Sequence, residues 1–193
     1  MIQKPLVLGV LLLSGVCCYG QVEDSATAGT VPLSAGGSFS CFDASYNTYK
    51  SIGLGAFIDY APIRAGDLGV EGEGRWLKFG GANSFSEYNY LAGPRYRFYS
   101  RDKYQAYAKF LVGAGEITFP YDLGHGGYFA MAPGGGVDMA LKEHWKVRAD
   151  YEFQFWPSAL GIPGIQTGAF HPNGVSVGIV YRLFRSRYEF QPR

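Results

Sequence analysis

Along Trp145–Trp156, apolar and polar residues alternate one for one. Trp145, Val147, Ala149, Tyr151, Phe153 and Phe155 hold one parity; Lys146, Arg148, Asp150, Glu152, Gln154 and Trp156 hold the other. A strand sends successive side chains to opposite faces, so this period of two predicts a two-faced β-strand. The run is twelve residues long, against about five or six for strands of soluble domains. Roughly 9–11 residues, tilted by about 45°, is what a strand needs to cross a bilayer.

The same alternation predicts seven more strands. They lie around Gly37–Tyr46, where Phe39, Cys41 and Phe42 disturb the pattern, and at Ile52–Tyr60, Leu68–Phe79, Tyr88–Tyr99, Tyr104–Thr118, Tyr128–Leu141 and Asn173–Phe184. The connections 61–67, 100–103 and 142–144 are short, whereas 80–86, 119–127 and 157–171 are longer. An even strand number with short turns on one side and longer loops on the other predicts an all-β fold. Its form is an eight-stranded antiparallel up-and-down transmembrane β-barrel with both termini on the short-turn, periplasmic side.

Alternation does not say which face points outward, but energetics do. Lys or Arg turned toward lipid near the bilayer midplane costs about 2–4 kcal/mol each. In a membrane the charges therefore point inward: Asp59, Glu71, Glu73, Asp138, Asp150 and Glu152 with Arg75, Arg95, Arg97, Lys109, Lys146, Arg148 and Arg182. Buried charges persist when paired and hydrogen-bonded, so an interior ion-pair network is expected. The lipid-facing set then includes the aromatics Tyr88, Tyr90, Tyr96, Phe98, Phe110, Trp145, Tyr151, Phe153, Phe155 and Tyr181. This register also turns inward Gly53, Gly55, Gly69, Gly93, Gly113, Gly115, Gly134, Gly136 and Gly178. An eight-strand barrel has room inside only for its own side chains, and long arginines with Trp156 need glycine opposite them. A plugged barrel follows. A soluble barrel or sandwich would alternate too, but the strand lengths and the bulk of the rings argue against it.

Composition narrows the class further. Gly 28, 17% aromatic and 17% charged residues suit an all-β barrel. Lys+Arg 17 against Asp+Glu 16 leaves no field for nucleic acid. Residues 1–20 read as a secretory signal peptide, with Lys4, an apolar Leu6–Val16 and a cleavage site at Cys18-Tyr19-Gly20. The apolar run is short for a membrane helix, and Val16 and Cys17 before the cysteines argue against a lipoprotein anchor. Residues 21–35 read as a flexible lead-in, 36–184 as the barrel and 185–193 as a tail. With the signal removed Cys41 is alone, so no intramolecular disulfide is expected.

Several segments together resemble a known family: Val70-Glu71-Gly72-Glu73-Gly74-Arg75-Trp76, Gly93-Pro94-Arg95-Tyr96, Tyr107-Ala108-Lys109-Phe110, Ala132-Pro133-Gly134-Gly135-Gly136 and Arg148-Ala149-Asp150-Tyr151-Glu152. Over roughly Gly36–Phe184 the chain resembles the bacterial outer-membrane β-barrel domain family, porin-like relatives of the small OmpA/OmpX-type barrels. The resemblance implies residence in the outer membrane, contact with its lipid, and insertion by barrel-assembly machinery that reads the terminal strand Val175–Phe184. Arg185–Arg193 continues past the terminal aromatic, where family barrels stop. Pro94 and Pro133 fall inside strands, where each removes a ladder donor, so bulges are expected there.

Candidate chemistry is sparse. His125, His144 and His171 lie in turns or loops without metal-ligand spacing. His171 with Ser176, or Asp122 with His125, would be the pairs for a lipid-modifying or proteolytic enzyme, but neither carries a motif. Gly134-Gly135-Gly136 precedes no helix and is not a phosphate loop. Glu71, Glu73 and Arg75 read as structural. No catalytic, metal or cofactor-binding residue is assigned and no cofactor is expected. The sequence favours a structural or interaction barrel in the outer membrane. A narrow solute channel is the first alternative and an enzyme the second.

Overall fold

The computed structural model describes residues 33–43, 50–61, 67–79, 86–118, 125–157 and 169–183. They form eight strands: β1 (Leu33–Asp43), β2 (Lys50–Tyr60), β3 (Leu68–Phe79), β4 (Ser86–Arg101), β5 (Tyr104–Thr118), β6 (His125–Ala140), β7 (Trp145–Phe153) and β8 (Asn173–Arg182). Each pairs antiparallel with its neighbours, and β1 pairs with β8 to close the barrel. No edge strand is left, so every backbone donor and acceptor can be met within the wall, as hydrocarbon demands.

Side chains sort by parity as the charge argument requires. Leu54 is 64% and Val177 58% exposed on the outer wall, whereas Arg148 and Glu152 are 1% exposed inside. On β5 the outward positions from Tyr104 to Ala114 are uncharged, bounded by Lys103 at the turn and Glu116 toward the loops. Eleven residues at about 3.3 Å each, tilted near 45°, give a band roughly 25 Å tall, the height of a membrane-barrel belt. Rings crowd its margins. At the turn end Trp145 and Tyr181 have centroids 4.8 Å apart, with His144 stacked on Tyr181. Toward the loops the Trp76 indole N–H donates to the Tyr90 hydroxyl at 3.2 Å.

Several boundaries differ from the sequence reading. β1 runs Leu33–Asp43 rather than around Gly37–Tyr46, and so takes in Leu33–Ala35 from the expected lead-in. The alternation holds there after all: Phe42 is buried inside while Phe39 is exposed outside. β4 and β6 are longer at their loop ends than the alternation suggested. The expected signal peptide, the remainder of the lead-in and the tail lie outside the described residues.

Neither Pro94 nor Pro133 makes a bulge. β4 pairs with β5 at Ala92↔Val112 and again at Arg95↔Lys109 in one unbroken register, with pairing lapsed across Gly93–Pro94. Each proline keeps its pairing on one side only, Pro94 with Val70 and Pro133 with Phe110. The missing donor thus falls in a gap of the other ladder and needs no extra residue. The register shift lies instead between Arg97 and Tyr99, and it turns both Phe98 and Tyr99 outward.

Prolines also explain why β7 ends at Phe153 although alternation continues to Trp156. The β6–β7 ladder stops at Gly134↔Glu152, next to Pro133, and resumes in the same register at Met131↔Phe155. On the other side Gln154 N–H donates to Pro172 O at 2.6 Å, and the pairing continues at Trp156↔Phe170. Pro172 has no N–H to return. Gln154–Trp156 thus prolongs β7 past a break produced from both sides.

Candidate functional site

Among the described residues, chemistry-bearing side chains gather in the interior, and strand parity puts them there. β2, β3, β4, β5, β6 and β7 each send at least one charged residue inward at similar heights. Arg148 on β7 lies at the hub of the layer nearer the short turns. Its guanidinium donates to Asp59 Oδ2 at 2.5 Å, Glu71 Oε2 at 3.1 Å and Asp138 Oδ1 at 2.8 Å. Arg95 joins the same layer through Asp59 at 3.2 Å and Asp138 at 2.8 Å.

Lys109 links this layer to the next. Its ammonium sits 2.8 Å from Glu71, 3.0 Å from Glu73, 3.3 Å from Glu152 and 3.6 Å from Asp150. Arg75 completes the second layer by donating to Glu73 and, at 2.9 Å, to Glu152. Six carboxylates are thereby tied together by four bases in one connected network. Tyr107 adds a hydroxyl donated to Asp150 at 2.7 Å.

Apolar rings turned inward serve as shelves for the cations. The Arg75 guanidinium lies 4.3 Å from the Phe42 centroid, Arg148 4.1 Å from Phe57 and Arg95 3.6 Å from Tyr107. Arg75 and Arg148 are 1% exposed, and burial away from bulk solvent strengthens their cation–π attraction.

Toward the loops the polar layers give way to an apolar plug. Leu91, Leu111, Ile117, Tyr128, Trp156 and Phe170 pack together over Ala130 and Ala132, and all are buried. The Trp156 indole N–H donates to Gln154 at 2.9 Å, and Gln154 donates to Glu152 at 2.8 Å, so plug and network are bonded to each other. Gly115 makes room: a Cβ there would press into the Trp156 ring. Gly136 does the same for the Tyr107 hydroxyl.

Most of the residues assigned inward from sequence meet in this network, and the other three sit toward the turn end. Arg97 is at the turn-end rim, where it donates to Asp67 at 3.0 Å; the adjacent register shift ends the inward run of β4. Lys146 donates to Gln105 at 2.7 Å, nearer the same rim. Arg182 is buried on the inner face of β8. Among the aromatics placed outward, Tyr90, Tyr96, Phe98, Phe110, Trp145, Tyr151, Phe153 and Tyr181 are exposed on the wall. Tyr88 and Phe155 are partly covered.

Glu87 was missed. It is 1% exposed inside and receives the Asn89 amide N–H at 2.9 Å. Extending the alternation of β4 two residues back from Asn89 would have found it.

The His171–Ser176 pair does not assemble. Ser176 points inward and hydrogen-bonds Ser40 at 2.8 Å. The His171 ring packs against the outward rings of Phe153 and Phe155, at 5.9 and 5.3 Å. The two residues therefore occupy opposite faces of the wall. Asp122 and the side chain of His125 lie outside the described residues. Among the described residues no group of three or more His, Cys, Asp or Glu side chains is placed to hold a metal ion.

No family model matches the chain, and no curated protein matches it in sequence. Solved structures match it in fold. Neisserial surface protein A (NspA) is 14% identical with a TM-score of 0.61, covering 79% of this chain and 97% of that one. Ail, the attachment invasion locus protein of Yersinia pestis, is 18% identical with a TM-score of 0.52, covering 79% and 97%. The outer membrane protein OprG from Pseudomonas aeruginosa is 14% identical with a TM-score of 0.52, covering 80% and 97%. At these identities the likeness is one of fold, that of the small eight-strand outer-membrane barrel.

Proposed function

We propose that this chain is a resident of the bacterial outer membrane whose closed barrel serves as a structural and interaction scaffold, and neither conducts solutes nor catalyses a reaction. One observation carries the reading: among the described residues, ion-paired layers and an apolar plug occupy the lumen at successive heights. Arg148 and Lys109 are buried against Glu71, Arg75 is buried against Glu73 and Glu152, and Trp156 and Leu111 seal the side toward the loops at 0% exposure. A solute path would require breaking several buried ion pairs and displacing the plug. Functional variation then falls to the segments that join the strands.

Export by the N-terminal signal peptide, contact with outer-membrane lipid and insertion through recognition of Val175–Phe184 belong to the same proposal. The uncharged outer belt and the shared fold support the location. Outward Val175, Val177, Ile179 and Tyr181 give the terminal strand its greasy face.

Envelope fractionation with a gel run before and after boiling tests the location; a folded barrel in the outer-membrane fraction should change mobility on heating. Planar-bilayer recording of the purified protein tests the closure. The bilayer should stay at background current, and stepwise conductance would replace this reading with the narrow-channel alternative.

A further inference from the structure

Beside the plug, three hydrogen-bonding atoms are left without a partner among the described residues: Arg75 Nε, Glu87 Oε2 and Asn89 Oδ1. All three residues are 1% exposed. They share one patch of the inner wall, since Arg75 faces Asn89 and Leu77 faces Glu87 across the β3–β4 ladder. The terminal nitrogens of Arg75 are committed to Glu73 and Glu152. The Asn89 amide N–H is committed to Glu87 Oε1. What remains is one donor and two acceptors.

The surrounding wall does not complete that set. Gln154 uses its amide N–H on Glu152 and its carbonyl on Trp156. Gly115, opposite Asn89, contributes no side chain. A Cβ at Gly115 would press into the Trp156 ring and lie 3.0 Å from Asn89 Oδ1, so the glycine lets the indole edge pack beside the Asn89 carbonyl.

A ligand for this set must donate twice and accept once. An alkali cation would suit the two oxygens but would face the guanidinium of Arg75. An anion would suit Nε–H but would face Glu87. A proton shared between Oε2 and Oδ1 would leave Nε–H unmet. Water fits all three, and buried waters typically make about three hydrogen bonds. We infer that the lumen holds a built site for one water molecule, which donates to Glu87 Oε2 and Asn89 Oδ1 and accepts from Arg75 Nε–H. Ile117, paired with Glu87, and Trp156, against Gly115, flank the site, and Arg75 ties it to the ion-pair network. Its slow exchange with bulk solvent, though not its existence, rests on the closed-lumen reading.

The test is magnetic resonance of the full protein in lipid nanodiscs with labelled arginine, reading cross-relaxation between the Arg75 Nε proton and water. A cross-peak with the sign of a long-lived water is expected. Glu87→Gln, nearly isosteric, turns an acceptor into a donor that reaches Asn89 directly, and should abolish that peak. Trp156→Ala should keep the peak and shorten the residence time by roughly an order of magnitude, as local opening becomes easier. No cross-peak in the unaltered protein, or one unchanged in Glu87→Gln, overturns the site. So does a crystal structure with rubidium bound between Glu87 and Asn89. The same sample in planar bilayers separates the two readings. A conducting barrel with the peak present would sink the closed lumen alone, and a silent barrel without the peak would sink the water site alone.

Discussion

Lys109 is the residue whose loss should reveal what holds the lumen together. Its ammonium lies within 4 Å of four carboxylates, those of Glu71, Glu73, Asp150 and Glu152, and its side chain is 0% exposed. Lys109→Met keeps the length of the side chain and removes the charge. The remaining acids would then share Arg75, Arg148 and Arg95 alone. Breaking a buried pair by deleting one partner destabilises by about 3–5 kcal/mol, because the charge left behind cannot be solvated. At about 1.4 kcal/mol per factor of ten, that is two to more than three orders of magnitude in the folding equilibrium. Urea titration in phospholipid vesicles, followed by gel mobility of the folded form, reads the difference. Adding Glu73→Gln to Lys109→Met should recover part of the loss by removing one uncompensated carboxylate. The rim pair Arg97–Asp67 is the control, with side chains 28% and 54% exposed; its disruption should cost about 0–1 kcal/mol. A Lys109→Met barrel as stable as the parent would refute the claim that the network is a structural necessity.

Other substitutions test other parts of the wall. Leu54→Arg puts a guanidinium on the lipid face and should cost about 2–4 kcal/mol in the same titration if it lies near the midplane; a neutral outcome would place β2 outside hydrocarbon. Trp156→Ala empties the centre of the plug and should lower stability by about 3–5 kcal/mol, while bilayer recordings remain silent because the ion-pair layers still close the lumen. Ser176→Ala removes only the interior bond to Ser40, so it should leave cell-envelope lipid composition unchanged by mass spectrometry. A change there would revive the hydrolase alternative.

Much of this architecture was legible because a barrel wall obeys a single rule. Once β7 was read as two-faced, parity alone placed Asp59, Glu71, Arg75, Lys109, Asp138, Arg148 and Glu152 on one side. β3 and β5 came out with the boundaries observed, since tight polar turns or Gly-rich loops bracket them. Parity failed where a residue depends on a neighbouring strand. The pause at Gln154 is produced by Pro133 and Pro172, on two different chain segments. The shift at Arg97–Tyr99 left Arg97 at the rim, and no feature of β4 alone announces it. Phe42 was harder for another reason. An apolar residue pointing inward looks like an error in the pattern until a guanidinium is seen lying on its ring. Which carboxylate meets which base depends on stagger between strands, and that is set by turns whose lengths do not fix the register.

The protein carries its own reporters of sidedness in its three tryptophans. Trp76 and Trp145 are 41% and 45% exposed on the outer wall, and Trp156 is 0% exposed in the plug. Single-tryptophan variants, with the other two replaced by phenylalanine, can be inserted into vesicles whose acyl chains carry bromine, and separately exposed to aqueous acrylamide. The account predicts that brominated chains quench Trp76 and Trp145 and that Trp156 is shielded from both quenchers. Strong acrylamide quenching of Trp156 would mean an open lumen, and indifference of Trp145 to brominated lipid would mean that the apolar wall does not face a membrane.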